Sequence, residues 1–372
     1  MQLLSRLIIL NIMKKSLFIG VLLLTVVAIP GYACTGISLK SKDGSSIQAR
    51  TIEWANGILE SSYVIIPRGE KMFSYTPDGK EGLTFTAKYG TVGLTVATNV
   101  FIAEGMNEKG LSAGLFYFPG YGKYEDYNPK YQEKSLIDLQ FVNWVLTQFA
   151  TIDEVKDAIN DIKIVGLNPE GKTSTVHWRI AERNGRVVVL EFIDGVPHFY
   201  ENRVGVLTNS PDFKWHLTNL NNYVNLHPGA APNNWLGGMK LTPISGNSGF
   251  LGLPGDATSP SRFVRAAFYR NTAPRLNSAF ETVAQAFHIL NNFDIPMGIQ
   301  HPAGKVPDFP SATQWTCVSD QTNLVIYYKT AENSLIRSID LNEINFATIN
   351  YQNHPLDKVK REYVEKIYIN NI

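Results

Sequence analysis

Cysteine is nearly missing from this sequence: Cys34 and Cys317 are the only two in 372 residues. An exported scaffold held by disulfides carries more than one possible pair. A Cys34–Cys317 bridge would consume both thiols, and Cys317 reads instead as a small buried hydrophobe. No apolar run reaches the ~20 residues that a membrane span needs. The seven His residues are scattered, none at metal-ligand spacing to another, which argues against a metal site. No P-loop, G-x-S-x-G, H-E-x-x-H or dinucleotide fingerprint occurs, so no cofactor is implied. Lys and Arg total 34 against 33 for Asp and Glu, with no basic patch of the kind nucleic acid demands. Repeats, low-complexity tracts and linkers are also missing.

What is present begins with a leader. Lys14-Lys15 precedes an apolar run from Leu17 to Ile29, then Pro30, Gly31, Tyr32 and Ala33. A positive start, a short apolar stretch and small residues at the end are the layout of a secretory signal, predicted over 1–33. Met13 is an alternative start to Met1. Two other readings stand beside cleavage: a retained anchor, and a lipoprotein with lipid on Cys34. Lipoprotein signals place a large aliphatic residue three positions before the Cys, where this chain has Gly31. Cleavage before Cys34 predicts a periplasmic or secreted protein. It removes Arg6, Lys14 and Lys15 and no acid, taking the net charge from +1 to −2.

The remaining chain is globular in composition, with 44% hydrophobic residues. Thr35–Leu39 and Ser46–Thr51 flank the hairpin signal Asp43-Gly44. Tyr63–Pro67, Gly82–Ala87, Val92–Ala97, Phe101–Gly105 and Leu111–Phe116 are further strand runs. A helical period starts at Ser135 and runs through Leu136, Leu139, Val142, Val145, Leu146 and Phe149. Capping boxes at Thr151–Glu154 and Ser278–Glu281 open two more helices. Strands are predicted at Thr175–Ala181, Val187–Phe192, Val204–Leu207, Asn323–Lys329 and Ser334–Ile339. Leu217–Asp256 reads as excursion loops. Strands and helices in this order predict an α+β fold, with helices on the outer faces of two mainly antiparallel sheets.

Several residues carry possible chemistry. If Cys34 becomes residue one, its thiol and freed α-amine form a nucleophile and base. The Asp43-Gly44 hairpin returns Arg50 and Glu53 to the neighbourhood of Cys34. There Arg50 would lower the thiol pKa and Glu53 would hold the amine, or the two form an ordinary edge pair. Asn209, at a strand end, is a natural oxyanion donor, though Asn209-Ser210-Pro211 is also an ordinary turn. Arg262 and Arg265 share one face of a helix whose first turn holds Pro260. A papain-like Cys–His pair is open on composition, but His177, expected to alternate outward on its strand, reads as structural. Trp54, Phe116, Tyr117 and Phe118 form either a pocket wall or core.

Together these stretches resemble a known family. Cys34-Thr35-Gly36, Lys42-Asp43-Gly44 with Arg50, Glu104–Leu111, Leu207-Thr208-Asn209-Ser210-Pro211, Gly252–Asp256, Ser261-Arg262-Phe263 and Thr313-Gln314-Trp315 are similar in order and spacing to the choloylglycine hydrolases. That family includes conjugated bile acid hydrolases and penicillin V acylases. The resemblance implies an αββα four-layer sandwich of the N-terminal nucleophile type, with 34–372 as a single amide-hydrolase domain. It implies Cys34 as nucleophile, its own amine as base, Arg50 at the thiolate, Asn209 at the oxyanion and Arg262 in the charged cluster. Glu53 stands where the family commonly has Asp, and Tyr117 is the chosen second oxyanion donor. The implied substrate is a small non-peptide amide with a bulky apolar acyl group. Penicillin V is placed slightly ahead of conjugated bile acids and acyl-homoserine lactones, because the exported leader resembles the Gram-negative branch. A homotetramer is also implied. The rival from another class is a non-catalytic binding protein lipidated at Cys34.

Overall fold

The computed structural model describes residues 33–54, 59–167, 175–299 and 312–369. Of the predicted leader only Ala33 lies among them. Strand β1 (Cys34–Lys40) leads to a turn in which Gly44 takes φ +92 and the Asp43 carboxylate accepts the Ser45 N–H at 2.9 Å. A side chain at that φ would be strained, which is why glycine closes the hairpin. β2 (Ser46–Trp54) then returns antiparallel to β1, with Cys34 opposite Ile52 and Gly36 opposite Arg50.

The chain continues through β3 (Ser61–Ile66), β4 (Thr91–Val96), β5 (Thr98–Asn107) and β6 (Ser112–Tyr117). Helices α1 (Phe141–Gln148) and α2 (Ile152–Ala158) follow, then β7 (Val176–Ala181), β8 (Val187–Ile193), β9 (Val196–Glu201) and β10 (Val206–Leu207). Next come α3 (Phe213–Asn219), α4 (Ser259–Thr272) and α5 (Ala279–Leu290). Strands β11 (Ala312–Asp320), β12 (Val325–Thr330), β13 (Arg337–Asp340) and β14 (Gln352–Pro355) close the fold.

The strands form two antiparallel sheets: a six-stranded one, β10-β1-β2-β11-β12-β13, and an eight-stranded one, β9-β8-β7-β6-β5-β4-β3-β14. Helices α4 and α5 pack on β1, β2 and β11, whereas α1 packs on β5 and β6. Arg50 and Arg179 reach across from one sheet to backbone carbonyls of the other, so the sheets lie face to face. The layer order is αββα, as expected. Because each sheet is covered on both faces, β4 and β7 are buried at every position rather than alternating.

That double coverage corrects the outward placement of His177, which is fully buried. Two other expectations differ. The helix predicted from Ser135 starts only at Phe141, because Ser135–Ile137 pairs in parallel with Lys163–Val165 and its Ile137 N–H goes to Ser74 Oγ. β11, between β2 and β12, was not predicted, since its Thr, Ser and Asp residues hide a strand buried on both faces. Both capping boxes form. Among the described residues no helix is long and apolar enough to cross a membrane.

Gly36 shows how tightly the layers meet. A Cβ there would lie 2.7 Å from Phe116 Cζ and 3.1 Å from Arg179 Nη1, both belonging to fully buried side chains of the facing sheet. Gly36→Ala should therefore cost ~1–3 kcal/mol, the usual range for overpacking. The measurement is thermal unfolding, with a lowered melting temperature and an unchanged far-UV spectrum expected. An unaltered melting temperature would show that the inter-sheet layer has slack.

Candidate active site

Cys34 opens β1, at the edge of the layer between the sheets, and its side chain is buried. Arg50 faces the same layer from β2. Its Nη2 donates to Cys34 Sγ at 2.8 Å, Nη1 to the carbonyls of Ala103 (3.0 Å) and Leu115 (2.5 Å), and Nε to Thr51 O at 3.2 Å. The guanidinium carbon sits 4.2 Å from the centroid of the Phe116 ring. Every guanidinium nitrogen thus has a partner, as a fully buried cation requires.

Three residues on, Glu53 takes the opposite face of the strand. It receives Thr313 Oγ1 at 3.2 Å on Oε1, while Oε2 is buried without a hydrogen-bond partner. Its N–H donates to Ala33 O at 2.9 Å, so the residue preceding Cys34 is itself built into the sheet. From α4, Arg262 donates to Cys34 O, to Thr35 Oγ1 at 2.9 Å and to Asn209 Oδ1 at 2.8 Å. Asn209 Oδ1 also accepts the Cys34 N–H at 2.8 Å, and Asn209 Nδ2 donates to Tyr117 O at 2.8 Å. Two donors on one oxygen fix which way this amide faces.

Burial pushes the Cys34 thiol above its ordinary value. Arg50 is the strongest opposing influence; Glu53 adds to the rise, while Arg262 and the Tyr117 backbone amide oppose it. Burial also raises Glu53 to about 7, against the pull of Arg262, Thr51, Arg50 and Thr313. Arg262 is lowered, again by burial, with Glu53 and Cys34 working the other way. Cys317, opposite Arg50 on β11, is a free buried thiol pushed well up by desolvation, and Cys34 is free too.

The structure thus gathers Cys34, Arg50, Glu53, Asn209 and Arg262 in one buried cluster. The Cys34 N–H, here a peptide amide rather than the freed α-amine that Glu53 is expected to hold, donates to Asn209 Oδ1. Tyr117 approaches with its main chain: its backbone amide acts on the Cys34 thiol and its carbonyl holds Asn209 Nδ2. Phe116 and Phe118 are no pocket wall, since both are fully buried, Phe116 under Arg50 and Phe118 stacked 4.4 Å from the His177 ring. They face inward because their sheet is packed on both sides. Trp54 is partly buried at the end of β2.

No histidine contact to the thiol occurs among the described residues; His177 and His216 instead hold the carbonyls of Thr208 and Asn209. Sequence reasoning missed Thr35, Thr313 and Ser259, whose hydroxyls serve Arg262, Glu53 and the Asn209 N–H. Buried hydroxyls beside charged residues were the available signal.

A buried cysteine at the first position of an αββα sandwich, with an Arg on its sulfur and an Asn on its nitrogen, defines a hydrolase of the N-terminal nucleophile type. Residues 34–355 match the linear amide C–N hydrolases, choloylglycine hydrolase family, and the chain belongs to that family. It is 34% identical over 318 residues to a bile salt hydrolase/transferase from Clostridium perfringens, covering 84% of this chain and 93% of that protein. Identity to a penicillin V acylase from Pectobacterium atrosepticum is 30% over 330 residues, covering 81% of this chain and 78% of that protein. A crystal structure of a mutant conjugated bile acid hydrolase from Clostridium perfringens superposes with a TM-score of 0.76 at 31% identity, over 90% of this chain and 100% of that one. The chain is a linear amide C–N hydrolase.

The opposing influences of Arg50 and Glu53 on the thiol give a prediction of opposite signs. Arg50→Met should slow iodoacetamide alkylation of Cys34 below the thiol pKa, by about tenfold for each unit of further upward shift. Glu53→Gln should speed it at the same pH. Alkylation followed by mass spectrometry checks both; changes of the same sign would contradict this electrostatic picture.

Proposed function

We propose that the protein is exported, is cleaved before Cys34, and then hydrolyses the amide bond of a small molecule with a bulky apolar acyl group. The observation that carries this reading is the double contact at Cys34, Arg50 on its sulfur and Asn209 on its nitrogen. An internal amide nitrogen is no base, whereas a free α-amine titrates at about 7.7–8.0. Cleavage would therefore create the base beside a nucleophile that Arg50 already supports. The start of the family match at residue 34 agrees with a working chain that begins there.

In this reading the α-amine takes the thiol proton as Cys34 Sγ attacks the acyl carbon. The oxyanion that forms is met by the Tyr117 N–H and by the Asn209 Nδ2 proton not given to Tyr117 O. Collapse breaks the C–N bond, and the α-ammonium returns the proton to the leaving amine. Water, deprotonated by the same amine, then hydrolyses the acyl thioester. Glu53, whose Oε2 lacks a partner, would receive the ammonium.

For substrate, conjugated bile acids come first and penicillin V second. The bile salt hydrolase match has the higher identity and covers more of its relative, 34% and 93% against 30% and 78%. The acylase reading keeps the support of that second match and of the exported leader. For assembly we propose a homotetramer, supported by the exposed Trp235, Leu236 and Met239 of the hairpin Asn234–Leu236/Met239–Leu241, at 64%, 67% and 59% exposure.

The test is a side-by-side assay on glycine- and taurine-conjugated bile acids, penicillin V and a long acyl-homoserine lactone. Cys34→Ala should abolish turnover of whichever is cleaved, and Asn209→Ala should cut kcat by roughly 10²–10³-fold, the usual loss for one oxyanion donor. Near-normal turnover by either variant would remove that residue from the site. Light scattering of the mature protein should give four chains per particle; a monomer would end the assembly proposal.

A further inference from the structure

The Thr208–Asn209 segment is gripped from several sides by groups that touch neither the thiol nor Arg50. His216 Nε2 lies 2.8 Å from Asn209 O, the Asn209 N–H donates to Ser259 Oγ at 3.0 Å, and His177 Nε2 lies 3.0 Å from Thr208 O. Behind His177 is Glu191, whose Oε1 lies 2.9 Å from His177 Nδ1 and also takes the Phe213 N–H at 3.0 Å. His177 and Glu191 are both fully buried, and Glu191 Oε2 has no hydrogen-bond partner.

Both ring nitrogens of His177 therefore face acceptors. A neutral imidazole has one N–H, and an ionised carboxylate has none to offer. Two contacts with one proton would leave a lone pair against the Thr208 carbonyl or against Glu191. The geometry is satisfied only when the pair shares one more proton, on the ring or on the Glu191 carboxyl. In either form Nε2 carries a hydrogen and donates to Thr208 O.

We propose that His177, oriented by Glu191, is a positioning residue that sets the Thr208–Asn209 peptide and so aims the Asn209 side chain at the Cys34 nitrogen and the reacting carbonyl. This rests on the reading that Asn209 works at the site. Phe118 stacks on the ring and fixes its plane, and Arg262 donates to the Asn209 side-chain oxygen. Rotating the Thr208–Asn209 peptide would break two contacts at once, those with His177 and Ser259.

The experiment compares His177→Gln, His177→Asn, Glu191→Gln and Asn209→Ala for kcat, KM and melting temperature on the substrate cleaved by the wild type. A Gln amide reaches the place of Nε2 and keeps the donor to Thr208 O, whereas an Asn amide reaches only the place of Nδ1. His177→Asn should lose about tenfold or more in kcat, a part of the loss expected from removing the Asn209 donor outright, with KM within about twofold. His177→Gln should recover most of it. In the Asn209→Ala background His177→Asn should add little. If the His177 variants do not fold, Glu191→Gln carries the test, with kcat lowered roughly threefold or more at unchanged KM. Normal kcat in folded His177→Asn, or in Glu191→Gln, alongside an inactive Asn209→Ala overturns the positioning role and leaves the site reading intact. An active Asn209→Ala overturns the site reading itself.

Discussion

One buried cation organises this molecule. Arg50 stands between two sheets, and its donors are divided among three backbone carbonyls and one sulfur. Two of those carbonyls, Ala103 and Leu115, belong to the facing sheet, so the contact that supports the thiol also ties the sheets together. Removing such a charge from water costs several kcal/mol, and only a complete set of partners offsets it. Phe116 supplies the floor beneath it, with Arg179 over the same ring at 5.7 Å and Glu104 bonded to Arg179 at 2.7 Å. The inter-sheet layer is therefore partly ionic, and Gly36 is small because Phe116 and Arg179 occupy the space its Cβ would need.

The strand carrying Arg50 also separates the two halves of the site. Arg50 and the thiol lie in the inter-sheet layer, while Glu53 and Thr313 meet on the other face of β2, toward the helical layer that carries Arg262. Asn209 joins the halves, with one oxygen shared between the Cys34 N–H and Arg262. Burial holds the thiol up and Glu53 near neutrality, so the cluster carries fewer ionised acids than its residue types suggest.

Much of this was legible in the sequence, and the reasons are local. Asp43-Gly44 dictates a hairpin, and the hairpin's length alone puts Arg50 across from Gly36, two residues from Cys34. The capping boxes mark helix starts through hydrogen bonds between neighbours in sequence. What was not legible depends on contacts distant in sequence. Residues 312–320 look too polar for a buried strand, because their partners, Glu53 among them, lie some 260 positions away. The inward turn of Phe116, Phe118 and His177 follows from a second sheet and a helical layer covering both faces. The main-chain contacts of Tyr117 could not be read from a side-chain motif.

Trapping the acylated enzyme tests the central claim most directly. The mature protein, mixed with a cleavable acyl amide and quenched in acid within the first turnover, is examined by intact-mass and peptide-level spectrometry. The account predicts a chain beginning at Cys34 that carries one acyl group on that sulfur and none elsewhere. A chain with a different first residue, a diacylglycerol on Cys34, or turnover with the acyl group on another side chain would contradict it.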